Sequence, residues 1–292
     1  MNDHSAPSLS EIWLYPIKSC RGLRLSEALV EARGLRADRR YMVVAEDGTF
    51  QTQRELPRLA LLEPVPLTLV GQQPAQAAAA GLPHGFLLRA PDREPLALPT
   101  ALRPGDGAAC TVQIWGDRCA AVDAGAGAAA WLSDFLSFPC RLVYLPDESV
   151  RPVDPRYGRA QDHVSFADGF PLLLLSEASL ADLNERLPAG EARVGMDRFR
   201  PNLMVRGCAP FAEDGWAGLR IGDVVLAGVK PCARCPIPTI DQATAQRGRE
   251  PLRTLSTFRQ RDGKVLFGQN VIPRSGGWLR LGDRVTVDAS VT

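Results

Sequence analysis

The chain has 292 residues, and its 34 Lys and Arg residues almost balance 33 Asp and Glu residues, for a formal net charge of +1. Hydrophobic residues make up 45% and charged residues 23%, a composition typical of a folded globular protein. This balance argues against a generally basic surface for nucleic acid, and no apolar run approaches the roughly 20 residues that a membrane-spanning helix needs. We therefore expect no nucleic-acid partner and no membrane partner.

The amino terminus and the cysteines indicate a cytoplasmic location. The first ten residues, MNDHSAPSLS, lack the basic and apolar regions of a secretory signal. Seven cysteines occur at irregular spacing in a chain that is long enough to fold without disulfides. We expect reduced thiols and a cytoplasmic protein.

The first half of the chain has the pattern of short strands separated by turns. The dipeptide Asp47-Gly48 is a strong hairpin signal between two apolar segments. The prolines of 59–70 favour edge strands over a helix, and the Ala/Gly/Pro/Gln-rich segment 71–85 predicts a surface excursion. The predicted strands are Leu9–Ile17, Tyr41–Ala45, Phe50–Gln53, Leu59–Val70 and Thr111–Trp115.

Two helices are expected, at Ala128–Leu136 and at Ser176–Leu187, where Ser176 can cap the amino terminus. The run PLLLL before Ser176 predicts a buried strand. Gly-Asp turns in LRIGDVVL and LRLGDRVTV each lead into a Val-rich strand. The second half returns to strands, predicted at Leu203–Arg206, Leu219–Val229, Val265–Ile272 and Trp278–Val287. We predict two mostly-β units with a boundary near residue 125.

The cysteine pair in KPCARCPIPTID, residues 230–241, allows several chemistries. A structural zinc site needs four ligands, whereas the three histidines are scattered. A redox dithiol belongs at a helix amino terminus, but the prolines after Cys235 favour extended chain. Both cysteines could be core thiols. Alternatively, Lys230, Arg234 and Thr239 could make Cys235 a reactive thiolate and a soft metal ligand.

Other segments place cationic or amide side chains at strand ends. Together with a thiolate they suit an anionic, phosphate-bearing cofactor, because Arg binds phosphate through a bidentate fork and Lys through a point charge. No GxxxxGK[ST] or GxGxxG motif is present, so nucleotide-loop interpretations are weak. The segments are Lys18-Ser19, Asp38-Arg39-Arg40, Phe199-Arg200-Pro201-Asn202 and Phe267-Gly268-Gln269-Asn270.

Seven motifs in order resemble the MOSC family (molybdenum cofactor sulfurase C-terminal domain) with its N-terminal β-barrel partner domain, above all its YcbX-like and amidoxime-reducing members. They are YPIKSCRG (15–22), DRRYMV (38–43), LLSEASLADLN (174–184), FRPN (199–202), IGDV (221–224), CARC (232–235) and LFGQ (266–269). The resemblance covers about residues 9–289. It implies a mostly-β, β-barrel-like fold with a few peripheral helices, in which two β units pack together: an N-terminal domain at 7–125 and a MOSC domain at 126–292.

The resemblance also implies a site for the molybdenum cofactor, molybdopterin with its metal. Cys235 would be the catalytic residue and metal ligand, and Cys232 would support it. Relatives place hydroxyl residues at 168–170, so a side-chain contact from Asp168 is in doubt, and Asn270 replaces an aromatic residue of some relatives. The remaining cofactor-binding residues would be Lys18, Ser19, Arg39, Arg200, Asn202, Ala233, Arg234 and Asn270.

The function implied is that of a molybdenum oxidoreductase that reduces small N-hydroxylated compounds, such as amidoximes and N-hydroxylated bases. The sequence ends at Thr292 without a plant-type iron–sulfur motif, so we expect a separate electron-transfer partner, an iron–sulfur or a flavin protein. The alternative is a non-catalytic carrier that delivers the cofactor, or persulfide sulfur on Cys235, to another enzyme.

Overall fold

The computed structural model describes residues 6–67 and 85–288. Within them the chain is mostly β, as predicted, with 19 strands and three α-helices. The helices are α1 (Ala126–Leu136), α2 (Glu177–Arg186) and α3 (Leu252–Phe258). The strands are β1 (Ser8–Leu14), β2 (Leu23–Leu25), β3 (Glu27–Glu31), β4 (Gly34–Leu35), β5 (Tyr41–Ala45), β6 (Glu63–Pro66), β7 (Phe86–Arg89), β8 (Leu96–Leu98), β9 (Ala109–Ile114), β10 (Asp117–Asp123), β11 (Cys140–Tyr144), β12 (Leu172–Ser176), β13 (Leu203–Arg206), β14 (Gly218–Ile221), β15 (Val224–Ala233), β16 (Gln260–Arg261), β17 (Lys264–Pro273), β18 (Gly277–Arg280) and β19 (Val285–Val287).

The largest sheet has nine strands and is built from both ends of the chain. Its order is β19-β14-β15-β17-β12-β13-β1-β2, with β16 attached to β17. Neighbours are antiparallel except β12 and β13, which are parallel and connected through α2. An isolated bridge between Ser8 and Arg284 brings β1 beside β19. The sheet thus curves back on itself, although no sheet of the described residues closes into a barrel.

Three smaller sheets also join distant parts of the chain. Their orders are β5-β11-β10-β9, β18-β3-β4 and β6-β7-β8. β11 lies beside β5, and β18 lies beside β3, while β1 and β2 belong to the large sheet. Strands from 7–125 and 126–292 therefore share sheets, and the domain boundary near residue 125 stays a prediction.

The predicted helices and most predicted strands occur with shifted ends. Ser176 caps α2 as predicted, since its Oγ accepts a hydrogen bond of 3.0 Å from the Ser179 backbone N–H. The predicted strand 219–229 is two strands, β14 and β15, joined at Gly222-Asp223, and the second continues to Ala233. β12 is buried between two neighbouring strands, which explains its continuous apolar run.

Two predicted strands in the first half were wrong in part. At 50–53, only Phe50 makes a bridge, because the segment turns inward and buries its polar side chains; Gln53 Nε2 donates to the Ser19 carbonyl at 2.6 Å. At 59–70, a single 3₁₀ turn (Pro57–Leu61) precedes the short strand β6. Residues 68–84, which hold most of the predicted surface excursion, lie outside the described residues.

Candidate active site

All nine residues predicted to form the site line one cavity of about 310 Å³. They come from both halves of the chain, because the interleaved sheets bring the loop after β1 next to the end of β15. The nine residues are Lys18, Ser19, Arg39, Arg200, Asn202, Ala233, Arg234, Cys235 and Asn270. The structure brings these residues together, and their roles as ligands remain predictions.

Several cavity residues have unusual backbone conformations. Ser19, Arg39 and Arg200 have φ angles of 66°, 47° and 59°, in the left-handed region that residues other than glycine rarely adopt. Such conformations persist where the surrounding structure holds them, and they cluster at functional sites. The loop that carries Lys18 is held in this way, since the Lys18 backbone N–H donates to the Tyr41 carbonyl at 2.8 Å.

A buried ion pair anchors Arg39. Its Nη1 donates to the Asp38 carboxylate at 2.5 Å and to Asn202 Oδ1 at 2.9 Å, and its Nη2 donates to the Arg200 carbonyl at 3.0 Å. Asp38 also accepts a 2.9 Å hydrogen bond from the Tyr15 backbone N–H. The side chain of Asp38 is fully buried and that of Arg39 is 11% exposed. The pair thus links the first half of the chain to the segment before β13.

Arg200 is a buried cation with an unsatisfied donor. Burial, with a smaller effect from Arg39, lowers its pKa to about 10, so that it stays charged at neutral pH. The guanidinium carbons of Arg39 and Arg200 each lie 4.3 Å from the centre of the Tyr15 ring. Nη1 of Arg200 donates to the Cys20 carbonyl, whereas Nη2 is buried without a hydrogen-bond partner among the described residues. An anion bound beside Arg200 would relieve this cost.

Asp168 lines the cavity, and its side chain pairs with Lys18 and Arg54. Asp168 accepts a hydrogen bond of 2.5 Å from Lys18 Nζ and lies 3.4 Å from Arg54 Nη2. Burial alone would raise the pKa of the Asp168 carboxyl, but the charges of Lys18 and Arg54 hold it well below its usual range. Among the described residues that line the cavity, Asp168 is the one carboxylate, against five cations: Lys18, Arg39, Arg54, Arg200 and Arg234. The cavity is therefore strongly basic.

Lys18 gives this basic cavity a dependence on pH. Burial lowers the pKa of Lys18 from its ordinary 10.5 to about 8, although Asp168 opposes the shift. The charge is therefore present below pH 8 and is lost as the pH rises through it. We expect the affinity for sulfate, whose own charge is constant here, to fall about tenfold between pH 7 and 9 by titration calorimetry. In Lys18→Arg the affinity should stay level; an equal fall in both proteins would exclude Lys18 as the cause.

The cysteines lie at the end of β15, in a geometry that the sequence did not predict. A 3₁₀ turn at Ile237–Thr239 follows Cys235 where extended chain was expected. Arg234 Nη1 donates to Cys232 Sγ at 3.2 Å. The guanidinium of Arg234 therefore contacts Cys232, whereas the sequence placed it beside Cys235. Both thiols are half-buried and both line the cavity. They are not core thiols.

Reasoning from sequence missed Arg54 and Trp115, which also line the cavity. Arg54 follows a run of buried polar residues, Gln51-Thr52-Gln53, and such a run after a hairpin could have indicated a functional segment. Trp115 lies in the turn between β9 and β10, and nothing in the local sequence connects it to the other residues.

The described residues hold neither a cluster of metal-ligating side chains nor a membrane-spanning helix. No three His, Cys, Asp or Glu side chains in 6–67 and 85–288 lie together in a group that could hold a metal ion. In the same part of the chain, no helix has both the length and the apolar character needed to cross a membrane.

Two protein-family models match this chain. Residues 6–139 match the MOSC N-terminal beta barrel domain, and residues 161–286 match the MOSC domain. The chain belongs to the MOSC family, with both of these domains.

Within the family, the chain is similar to amidoxime-reducing components and to a molybdenum cofactor sulfurase. The chain is 38% identical to mitochondrial amidoxime-reducing component 1 of Homo sapiens, over 95% of this chain and 82% of that protein. It is 36% identical to mitochondrial amidoxime reducing component 2 of Rattus norvegicus, over 95% of this chain and 82% of that protein. It is also 32% identical to the molybdenum cofactor sulfurase of Danio rerio, over 91% of this chain but 32% of that protein.

Proposed function

We propose that the protein is a molybdenum-cofactor-dependent oxidoreductase that reduces small N-hydroxylated compounds, such as amidoximes and N-hydroxylated bases. One observation carries the proposal: a basic cavity of about 310 Å³ gathers the half-buried Cys235 with Lys18, Arg39 and Arg200, in a relative of amidoxime-reducing components. The cytoplasmic location is part of the proposal.

The residues of the cavity fit the cofactor chemically. Cys235 offers a soft thiolate, which suits a sulfur-rich molybdenum centre. The cations and the unsatisfied buried donors, Arg200 Nη2 and Arg234 Nε, suit the pterin and its doubly charged phosphate. Ser19, Asn202 and Asn270 add hydroxyl and amide groups, and the exposed Ala233 lets a ligand approach the backbone.

When bound, the cofactor supplies two-electron redox chemistry, and the chain supplies the ligand, the orientation and the charge. In the overall reaction the N–O bond of the substrate breaks, two electrons and two protons are consumed, and the oxygen leaves as water. Lys18 Nζ carries a proton at neutral pH on the wall of the cavity, held between Asp168 and the Phe166 carbonyl at 2.5 and 2.9 Å. Arg39 and Arg200 add positive charge to the same cavity.

The electrons are proposed to come from a separate iron–sulfur or flavin protein. We expect the purified protein to leave NADH unoxidised when a substrate such as benzamidoxime is present, and to turn over once a suitable donor is added. Efficient NADH oxidation by the protein alone would disprove the need for a partner.

The proposed activity is tested with protein produced in a host that makes the cofactor. Reduced methyl viologen replaces the donor, benzamidoxime is the substrate, and chromatography measures the benzamidine formed. We expect molybdenum and pterin at close to one equivalent and steady turnover. Protein that holds the cofactor but makes no benzamidine would refute the reductase.

The alternative function is that of a carrier for the cofactor or for persulfide sulfur on Cys235. The similarity to the molybdenum cofactor sulfurase of Danio rerio favours it. The same preparation distinguishes the two functions: release of cofactor or sulfur to an acceptor enzyme, without benzamidine, supports the carrier. Turnover without transfer supports the enzyme.

A further inference from the structure

Trp115 is an exposed aromatic residue on the wall of the cavity, and the proposed cofactor site gives it no task. It lies in the two-residue turn between β9 and β10, where Ile114 pairs with Asp117. Trp115 is 45% exposed, and few other large apolar residues in the described part of the chain are as accessible. Because Trp115 also lines the cavity, part of its exposed surface is available to a molecule bound there.

The backbone of Trp115 is held in an unfavourable conformation. Its φ is 53°, in the region that glycine tolerates and that a bulky side chain rarely adopts. Gly116 is the next residue, yet the positive φ falls on the tryptophan rather than on the glycine. Strain at a particular residue persists when the surroundings hold it there, and strained residues cluster at functional sites.

Neighbouring side chains fix the indole ring in place. The Arg54 guanidinium carbon lies 4.8 Å from the ring centre, and the Phe50 ring lies 5.0 Å away at a tilt of 54°. Arg54 is in turn tied to Asp168, which binds Lys18. The ring is thus coupled through three side chains to the buried base of the cavity.

The aromatic side chains of the cavity wall are more accessible than its buried polar side chains. Lys18, Arg200 and Asn202 are at most 8% exposed and form a buried polar base. Trp115 and the half-buried Phe170 lie at more accessible positions and are aromatic. A flat aromatic ring that carries a polar N-hydroxyl group suits this arrangement, because the ring gains energy from contact with the indole and the polar group from contact with the buried polar side chains.

We infer that Trp115 is a specificity-determining residue that selects N-hydroxylated substrates with a planar aromatic ring over aliphatic ones. The inference rests on the proposed reductase function and adds to it the part of the substrate that is recognised. Trp115 acts by contact with the substrate's ring and takes no part in the chemistry.

The test measures kcat/KM for benzamidoxime and for acetamidoxime, with reduced methyl viologen as reductant. We expect Trp115→Ala to lower the ratio of the two values about tenfold, through KM more than kcat, and Trp115→Phe to keep most of it. Trp115→Gly should act like the alanine variant while suiting the positive φ, so agreement between the two excludes a folding defect. Trp278→Ala removes an equally exposed tryptophan on β18, outside the cavity, and should leave the ratio as it is.

A ratio that changes less than twofold in both truncations, or that falls equally in Trp278→Ala, would overturn the inference. Binding to the same protein, measured by titration calorimetry without reductant, separates it from the proposed function. If the wild type binds benzamidoxime without reducing it, and Trp115→Ala weakens that binding about tenfold, the reductase is wrong and the aromatic contact stands. If neither binding nor turnover is found, both are wrong.

Discussion

Replacing Cys235 with serine is expected to lower benzamidoxime turnover by more than about 100-fold and to deplete molybdenum from the purified protein. A serine hydroxyl stays protonated at neutral pH and cannot replace a soft thiolate ligand. Groups that merely orient a ligand typically contribute 10- to 100-fold, so loss of the ligand itself should exceed that range. Elemental analysis, pterin content and turnover of the same preparation measure the effect.

Cys232→Ser is the matched control for this prediction. Arg234 Nη1 donates to Cys232 Sγ, and a serine oxygen can accept the same hydrogen bond. We expect the metal to remain bound and turnover to fall less than about fivefold. Equal losses from Cys232→Ser and Cys235→Ser would instead indicate a dithiol, and would remove the distinction between ligand and supporting residue.

Asp38→Ala is expected to lower the free energy of unfolding by about 3–5 kcal/mol, because it leaves the Arg39 guanidinium without its buried counter-charge. The Asp38 side chain is fully buried, and it also accepts the Tyr15 backbone N–H, which would lose its partner. Urea unfolding at pH 7 measures the change, provided that the slope of the transition is unaltered.

The neighbouring pair of Arg40 and Asp147 provides the control for Asp38. It has a similar separation, 2.8 Å, but the Asp147 side chain is 89% exposed. Exposed pairs contribute about 0–1 kcal/mol, so Asp147→Ala should have a small effect. A loss from Asp38→Ala as small as that from Asp147→Ala would mean that Arg39 finds another acceptor or water in the folded protein.

Much of the candidate site could be predicted because its motifs are local. Lys18-Ser19, Arg200 with Asn202, and Cys235 each belong to a short pattern next to a strand end, and the order of these patterns is specific to the family. The residues then meet in one cavity. Apolar runs and turn residues likewise predicted most strands and two helices.

The missed features depend on long-range packing. Trp115 reaches the cavity because β9 and β10 form a sheet with β5, and no local pattern carries that information. The contact of Arg234 with Cys232 depends on the irregular end of β15, where pairing with β17 shifts between Pro231 and Ala233. A polar strand end is equally compatible with solvent, so Asp168 could not be assigned from sequence alone.

The placement of β1 has a consequence for synthesis of the protein. Ser8 pairs with Arg206 in β13 and with Arg284 beside β19, so β1 is translated long before two of its partners. Its edge toward β13 stays unpaired until then, and contacts so distant along the chain form slowly. While those partners are still being translated, the open edge of β1 can pair with other chains, which favours aggregation.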